Sequence, residues 1–332
     1  MIDLGKIQYR VVVMDGSGRQ YDIKDFVENL GWEDNENEIS VRVSFTIRND
    51  QTARGYLSGI IKPGSLIGIF ATAGGRSEEV ARGYVVSWNL SQQNSAHDLK
   101  CVAYDELYNL QKSQDNLFFP SGTGTQTAIQ QILNEWGIPL GDYSGPNVSH
   151  GKLVFNNKYL SDVILELLDD ATKKGESKCI IRAGIGCINI VPWGNNDAVY
   201  VFREDNTKSI SESISTENLI TRVKVVGQED AEGKRSVEAM INGLTEYGTR
   251  QKIYIRGSDE TPEDAKSAAQ ELLNEEGKIT KDIKVQSPDV PFVRKGDRVY
   301  LMLGTSTGYF YVKGIRHDAD THTMTMDLKT EP

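Results

Sequence analysis

Lys295-Gly296-Asp297-Arg298-Val299-Tyr300-Leu301 reads as a turn that opens a β-strand. Beyond a polar, Gly-bearing break, Tyr309-Phe310-Tyr311-Val312-Lys313-Gly314-Ile315 reads as a second strand. A polar loop, His317-Asp318-Ala319-Asp320, then leads into Met324-Thr325-Met326-Asp327-Leu328. That last segment alternates large apolar and polar side chains, the period of a half-buried antiparallel strand. Together the three segments predict an antiparallel meander.

A weak copy of this meander stands near the other end of the chain. Pro63-Gly64-Ser65-Leu66-Ile67-Gly68-Ile69 matches the first strand, and Tyr84-Val85-Val86-Ser87-Trp88 matches Tyr311 to Ile315. Leu99, Cys101 and Ala103 match Met324, Met326 and Leu328. The spacings differ only in polar loops, where insertions are tolerated. Glu217-Asn218-Leu219-Ile220-Thr221 also echoes Glu36-Asn37-Glu38-Ile39-Ser40, each leading into a Val-rich strand, and extends the repeat upstream. One unit used twice sets the fold reading.

The rest of the chain sorts around these copies. Ile7, Tyr9, Val11 and Val13 alternate, Asp15-Gly16-Ser17-Gly18 marks a turn, and Tyr21 and Ile23 continue a second strand. Ile39, Val41, Val43, Phe45 and Ile47 give the clearest strand, whose register a one-residue slip would invert. Gln51 to Ile61 is a connection with room for a short helical turn. Residues 1–112 therefore read as a β module, an antiparallel sandwich or barrel.

Residues 113–195 read as a small α+β module. Ser121-Gly122-Thr123-Gly124 looks like a flexible joint, with Thr125 or Thr127 capping a helix that carries Ile129, Ile132, Leu133 and Trp136. Leu160, Val163, Ile164, Leu167, Leu168 and Ala171 mark a stronger amphipathic helix, with Lys173 and Lys174 at its negative end and Gly175 as its stop. Cys179-Ile180-Ile181 and Cys187-Ile188-Asn189-Ile190-Val191 predict a hairpin about Ala183-Gly184. Residues 196–332 form the second β module. Within it Thr261 caps a helix over 261–276, Pro262 fits its first turn, and Ala265, Ala268, Ala269, Leu272 and Leu273 supply a stripe suited to close approach to a sheet. The predicted fold class is mainly β, with two antiparallel modules flanking the α+β module.

Composition narrows the function. With a net charge of −10 and basic runs no longer than Lys173-Lys174 and Lys234-Arg235, the chain lacks the clustered cations of a sequence-specific nucleic-acid binder. No apolar run approaches the ~20 residues that span a bilayer. Met1-Ile2-Asp3-Leu4-Gly5 lacks the basic and apolar parts of a signal peptide, so folding in the cytoplasm is expected. Three cysteines are too few for a disulfide framework. Cys179 and Cys187 could meet across their hairpin, but in a reducing compartment small buried thiols are the simpler reading.

Candidate chemistry is sparse. His317 and His322 bracket Asp318 and Asp320, which could be drawn as a metal site, but a hairpin loop does not ensure convergence and solvated loop residues are expected. His97 falls in the matching loop of the first copy. His150 has no partner type near it in sequence. Ser121 to Thr125 lacks the Gly-Lys-Ser/Thr of a phosphate loop, and Gly184-Ile185-Gly186 is a turn rather than a dinucleotide fingerprint. Asp169, Asp170, Glu204 and Asp205 read as solvated surface. Trp88, Trp136 and Trp193 read as core anchors, whereas Trp32, beside Gly31 and an acidic loop, is the expected exposed aromatic. No catalytic, cofactor or metal residue is assigned.

Thr261 to Ala265 through Gly277, Gly296 to Val299, Gly308 to Val312 and His317 resemble the C-terminal half of the XkdQ/YqbQ-type prophage tail proteins. Ile39 to Asn49 and Tyr84 to Tyr104 resemble their N-terminal half. That family belongs with the baseplate hub proteins of contractile phage tails and phage-tail-like bacteriocins. The resemblance implies two fused tail-tube-like modules per chain and no enzymatic site. It further implies a homotrimer that mimics a hexamer and joins a sixfold tube to a threefold spike. Expected partners are the chain itself, a tail tube protein, a spike protein, and other baseplate or tape-measure proteins. The expected location is the bacterial cytoplasm during assembly and then the particle. The acidic charge suits a channel that must not hold DNA phosphates. The rival readings are a tail-associated cell-wall hydrolase and a carbohydrate- or receptor-binding tail module.

Overall fold

The computed structural model describes residues 6–14, 17–36, 38–52, 55–93, 96–257, 260–304 and 306–331. Asp15, Gly16, Asn37 and Met1 to Gly5, on which some expectations fell, lie outside the described residues, as does the side chain of His97. The chain divides into two compact units, 1–210 with 284–332, and 211–283.

In the larger unit the N-terminal segment contributes β1 (Gln8–Met14), β2 (Gln20–Asp22), β3 (Val27–Asp34), β4 (Arg42–Arg48), and the short β5 (Gln51–Thr52) and β6 (Gly55–Tyr56). A single helical turn, α1 (Leu57–Ile60), precedes β7 (Leu66–Ala73), β8 (Arg76–Gln93) and β9 (Ala96–Tyr104). The last three form the predicted meander, antiparallel throughout. Val41, Val43, Phe45 and Ile47 all point into one core with Val11, Val13, Ile67, Ile69 and Leu99. Ile39 is only partly buried and packs against a different core, so the alternation begins one step later than its sequence pattern.

The middle segment builds that second core. It runs α2 (Leu107–Lys112), β10 (Gln114–Phe119), α3 (Thr125–Glu135), β11 (Leu140–Tyr143), β12 (Leu153–Tyr159), α4 (Leu160–Lys173), β13 (Cys179–Ala183) and β14 (Ile188–Pro192). All six apolar residues expected on α4 are buried, because i, i+3, i+4, i+7 spacing places them on one face. Ser121 to Gly124 is not a flexible joint. Gly122 N donates to His150 O at 2.9 Å, and Thr125 N to Val148 O at 3.0 Å. The α3 N-cap is Gly124, with no side-chain cap from either threonine, because Thr125 is already inside the helix and buried.

Beyond β15 (Val201–Arg203), the chain enters the smaller unit through β16 (Ser209–Ser215). That unit holds β17 (Arg222–Glu229) between antiparallel β18 (Arg235–Asn242) and parallel β19 (Gln251–Ile255). It also holds α5 (Pro262–Glu276). Thr261 caps α5 through a capping box with Asp264, and Ala265, Ala269 and Leu273 pack on Val223 and Val225. The alanines let the helix lie close to β17, as their sequence pattern predicts.

The return strand β20 (Thr280–Pro288) leads to β21 (Arg298–Leu303), β22 (Ser306–Asp318) and β23 (Thr323–Lys329), the second meander. Within the main sheet the order is β16-β20-β23-β22-β3-β4-β9-β8-β7-β1-β2, with β21 on β22 and β15 on β21. Two equal runs are visible: β3-β4-β9-β8-β7 and β16-β20-β23-β22-β21. The upstream echo at Glu217 is therefore not part of the repeat. The seat that β4 takes beside β9 is taken beside β23 by β20, while β17 belongs to a sheet of its own. β17 resembles β4 because both are central strands with one buried face, which imposes the same alternation.

Candidate functional site

The two meanders share their turn geometry as well as their strand order. Gly64 and Gly296 hold φ of +90° and +87°, a region that favours glycine. Gly64 N donates to Val85 O at 2.8 Å, and Gly296 N to Val312 O at 2.7 Å. In return Val85 N donates to Ser65 O and Val312 N to Asp297 O, both at 2.9 Å. One residue further along each second strand lies a bulge, at Val86 and at Lys313. Bulges re-aim a strand and are designed features, so the same bulge at the same place marks one module built twice.

The modules meet where β22 pairs antiparallel with β3, Ile315 opposite Asp34 and Asp318 opposite Gly31. A Cβ on Gly31 would come 2.8 Å from the His317 carbonyl oxygen, so glycine allows this approach. Trp32 is 5% exposed, and the expectation that it is the exposed aromatic is wrong. The indole stacks on His317 and meets Tyr9 edge to face. His317 belongs to a buried strand, not to a solvated loop. Its Nδ1 lies 2.7 Å from Asp289 Oδ1, and Nε2 donates to Val293 O at 3.1 Å. The Tyr9 hydroxyl donates to the other Asp289 oxygen; burial, then the nearby carboxylate, raises the phenol above its ordinary range.

Charge is also buried at this junction. Lys295 Nζ sits 2.6 Å from Asp34 Oδ1, with both side chains almost fully enclosed, and donates to the Asn35 and Glu38 carbonyls. Its contact with Asp34 is Coulombic rather than a directed hydrogen bond. Arg182 of β13 reaches Asp297 at 2.8 Å, and Arg294 donates to the Ala183 carbonyl at 2.9 Å. These contacts tie the middle segment to the second Gly turn. Burial lowers the Arg294 guanidinium from its ordinary value, with Arg182 adding to the effect. Asp105 accepts from Val41 N and Leu107 N, yet burial pushes its carboxyl up to about 8.

The loop and histidine candidates are engaged in local structural contacts. Asp318 accepts from the backbone of Asp320 and Thr321, which closes the hairpin turn, and His322 is exposed at φ +48°. Among the described residues no group of three or more His, Cys, Asp or Glu converges to hold a metal. His150, which had no partner in sequence, lies between Thr125 Oγ1 at 2.9 Å and Asp170 Oδ2 at 2.5 Å. The connectivity matches a hydroxyl–imidazole–carboxylate relay. Thr125 and His150 are buried, however, and Thr125 Oγ1 also contacts the Val148 carbonyl. The group therefore staples α3 to α4 and presents no nucleophile. Burial opposes ionisation of Asp170, but hydrogen bonds from Lys174 and His150 hold it below the usual carboxylate range.

The other sequence candidates are accounted for locally. Gly184 N donates to Cys187 O at 2.8 Å, the expected hairpin turn. Cys179 pairs with Pro192 at the far end of that hairpin while Cys187 sits by the turn, and both thiols are free. Asp169 pairs with Lys173 at 2.9 Å, and Glu204 and Asp205 are exposed in a 3-10 turn. Trp193 is half-buried beneath Lys329 Nζ, 3.8 Å from its ring centroid. Trp88 is half-buried, but Trp136 is exposed beyond the end of α3, which corrects its reading as a core anchor. Among the strands that the residue pattern did not show, β3 is the one at this junction. Asn29 at φ +54° and the adjacent bulge break its alternation.

Among the described residues no helix is long and apolar enough to cross a membrane. The fold is similar to those of solved tail proteins. A 43 kDa tail protein of prophage MuSo2 from Shewanella oneidensis matches with a TM-score of 0.71 and 14% identity, covering 97% of this chain and 98% of that one. A tail protein from Neisseria meningitidis MC58 matches with a TM-score of 0.68 and 14% identity over 97% and 96% of the two chains. Prophage tail protein gp18 from Listeria monocytogenes EGD-e matches with a TM-score of 0.59 and 14% identity over 97% and 94%. No curated protein matches the sequence. The model of the YQBQ-like family matches residues 30–331, and the chain belongs to that phage-tail family.

Proposed function

We propose that the chain is a non-enzymatic baseplate hub of a contractile tail or tail-like particle, which joins a sixfold tube to a threefold spike as a homotrimer. The observation that carries this reading is the repeated five-strand run with its matching Gly turns and bulges. Two similar modules per chain let three chains present six similar surfaces, the economical way to join threefold to sixfold symmetry. In this reading 1–112 and 196–332 are tail-tube-like modules, 113–195 is an α+β module between them, and the segment from β17 to α5 is an insertion between β16 and β20 of the second module. The partners are further copies of the chain, a tube protein, a spike protein and other baseplate components. The site of action is the assembled particle.

The rival readings gain no specific support. A hydrolase needs an accessible acid, base or metal, and the hydroxyl and imidazole of the candidate His150 relay are enclosed. Receptor binding through Trp32 needs an exposed ring, and Trp32 is in the core. Mass measurement of the purified chain, alone and with its candidate spike, tests the hub. Three copies are expected in the complex, and a strict monomer under both conditions would overturn the reading.

A further inference from the structure

The contact between the two meanders occupies one strand edge, and the matching edge of the first meander is unpaired among the described strands. β23 covers one edge of β22 from Tyr311 to Asp318, so β3 uses the opposite edge at Ile315–Asp318, beyond the end of β21. β8 is built alike. β9 covers one of its edges from Tyr84 to Gln93, while β7 covers the other only up to Tyr84. By the shared bulge, Trp88 to Ser91 correspond to Ile315 to Asp318. In β22 the covered residues Ile315 and His317 are 4% and 1% exposed. At the same positions of β8, Trp88 is half-buried with an unpartnered buried Nε1, and Leu90 is 43% exposed.

The strand that corresponds to β3 in the second run is β16, at the far end of the sheet order. Its sequence, Ser209-Ile210-Ser211-Glu212-Ser213-Ile214-Ser215, sets Ile210 and Ile214 on one face with Glu212, and Ile214 is 67% exposed. An exposed edge strand with apolar side chains is a template for pairing with another chain unless charge or proline blunts it. β16 has no proline, and its one charge, Glu212, is engaged by Lys281 at 3.0 Å. We infer that the β8 edge at Trp88–Ser91 receives β16 of a second copy of this chain. The contact repeats between chains the β22–β3 pairing made within one. It is head-to-tail, and such contacts close into rings when the rotation per copy divides the circle. The assignment rests on the trimeric hub reading and names the surfaces that would make the trimer.

Cysteine pairs in the full chain test it. In a background of Cys101→Ala, Cys179→Ser and Cys187→Ser, Leu90→Cys is combined in turn with Ile210→Cys, Glu212→Cys and Ile214→Cys. A control pair combines Ile214→Cys with Leu165→Cys, an equally exposed site on α4. After mild oxidation, at least one Leu90 pair is expected to give inter-chain disulfides about tenfold above the control, ending at three linked chains. No excess over the control in any of the three overturns the edge assignment. Leu90→Lys, checked for an unchanged melt, is expected to lose self-association, and retention of the oligomer overturns the assignment independently. The mass of the unmodified chain separates the two readings. Trimers that do not cross-link reject only these edges, whereas monomers that do not cross-link reject the edges and count against the hub.

Discussion

The indole of Trp32 stacks on the imidazole of His317 with ring centroids 4.5 Å apart and planes 14° from parallel. One residue comes from the N-terminal half and the other from the last strand pair, so the stack closes the sheet between the two meanders. Trp32→Ala is expected to lower unfolding stability by about 3–5 kcal/mol, the range for an aromatic truncated in a core. Trp136→Ala, at an exposed position, is expected to stay within about 0.5 kcal/mol. Urea unfolding of the two variants checks both, and equal losses would contradict the burial difference.

The Lys295–Asp34 pair carries a sharper prediction. Lys295→Met leaves Asp34 enclosed without its counter-charge, and a loss of about 3–5 kcal/mol is expected. Lys295→Met with Asp34→Asn removes both charges and is expected to recover a substantial part of that loss. A double-mutant cycle in urea measures the difference. Additive losses would mean that the two charges are not coupled.

The repeated Gly turns are alike in φ but not in surroundings. A Cβ on Gly64 meets nothing within 4 Å, whereas one on Gly296 meets Arg182 Nη2 at 2.7 Å and Ile180 at 2.9 Å. Gly64→Ala is therefore expected to cost about 1–2 kcal/mol for the left-handed backbone alone. Gly296→Ala is expected to cost more, because the Arg182–Asp297 ion pair must also shift. Melting temperatures of the two variants, compared side by side, decide the order.

Asp105 predicts a pH dependence. Burial raises its folded pKa to about 8 from an ordinary 3.8. Between those values the folded state holds a proton that the unfolded state has released, so the contribution of Asp105 to stability falls as pH rises from about 4 to 8. Asp105→Asn cannot titrate. The stability difference between parent and Asp105→Asn, followed by urea unfolding, is expected to move in favour of the variant across that window. A difference independent of pH would rule out the raised pKa.

Much of this protein is local and was legible in its residues. The Gly turns at 64 and 296, the alternation after each, the apolar face of α4 and the Thr261 cap of α5 all follow from backbone preference and period. Each is fixed within a few residues of sequence. The long-range pairings were not legible. β3 carries a left-handed Asn29 and a bulge that erase its period, and β20 carries too short an alternation to compete with β17 for the seat beside the meander. His150 found Asp170 through the packing of α3 on α4, not through spacing.

The sequence by itself determined that one meander is used twice and that a helical segment lies between the copies. Only the tertiary structure decided that the two copies share a sheet through β3 and β22, and that Trp32 is enclosed there. It also left the β8 and β16 edges unpaired within the described chain. The physical reason is that periodicity tells each strand which face to bury but not which edge to pair. Edge pairing is a backbone matter, set by bulges, by a glycine such as Gly31 that permits close approach, and by which partner strand reaches the edge.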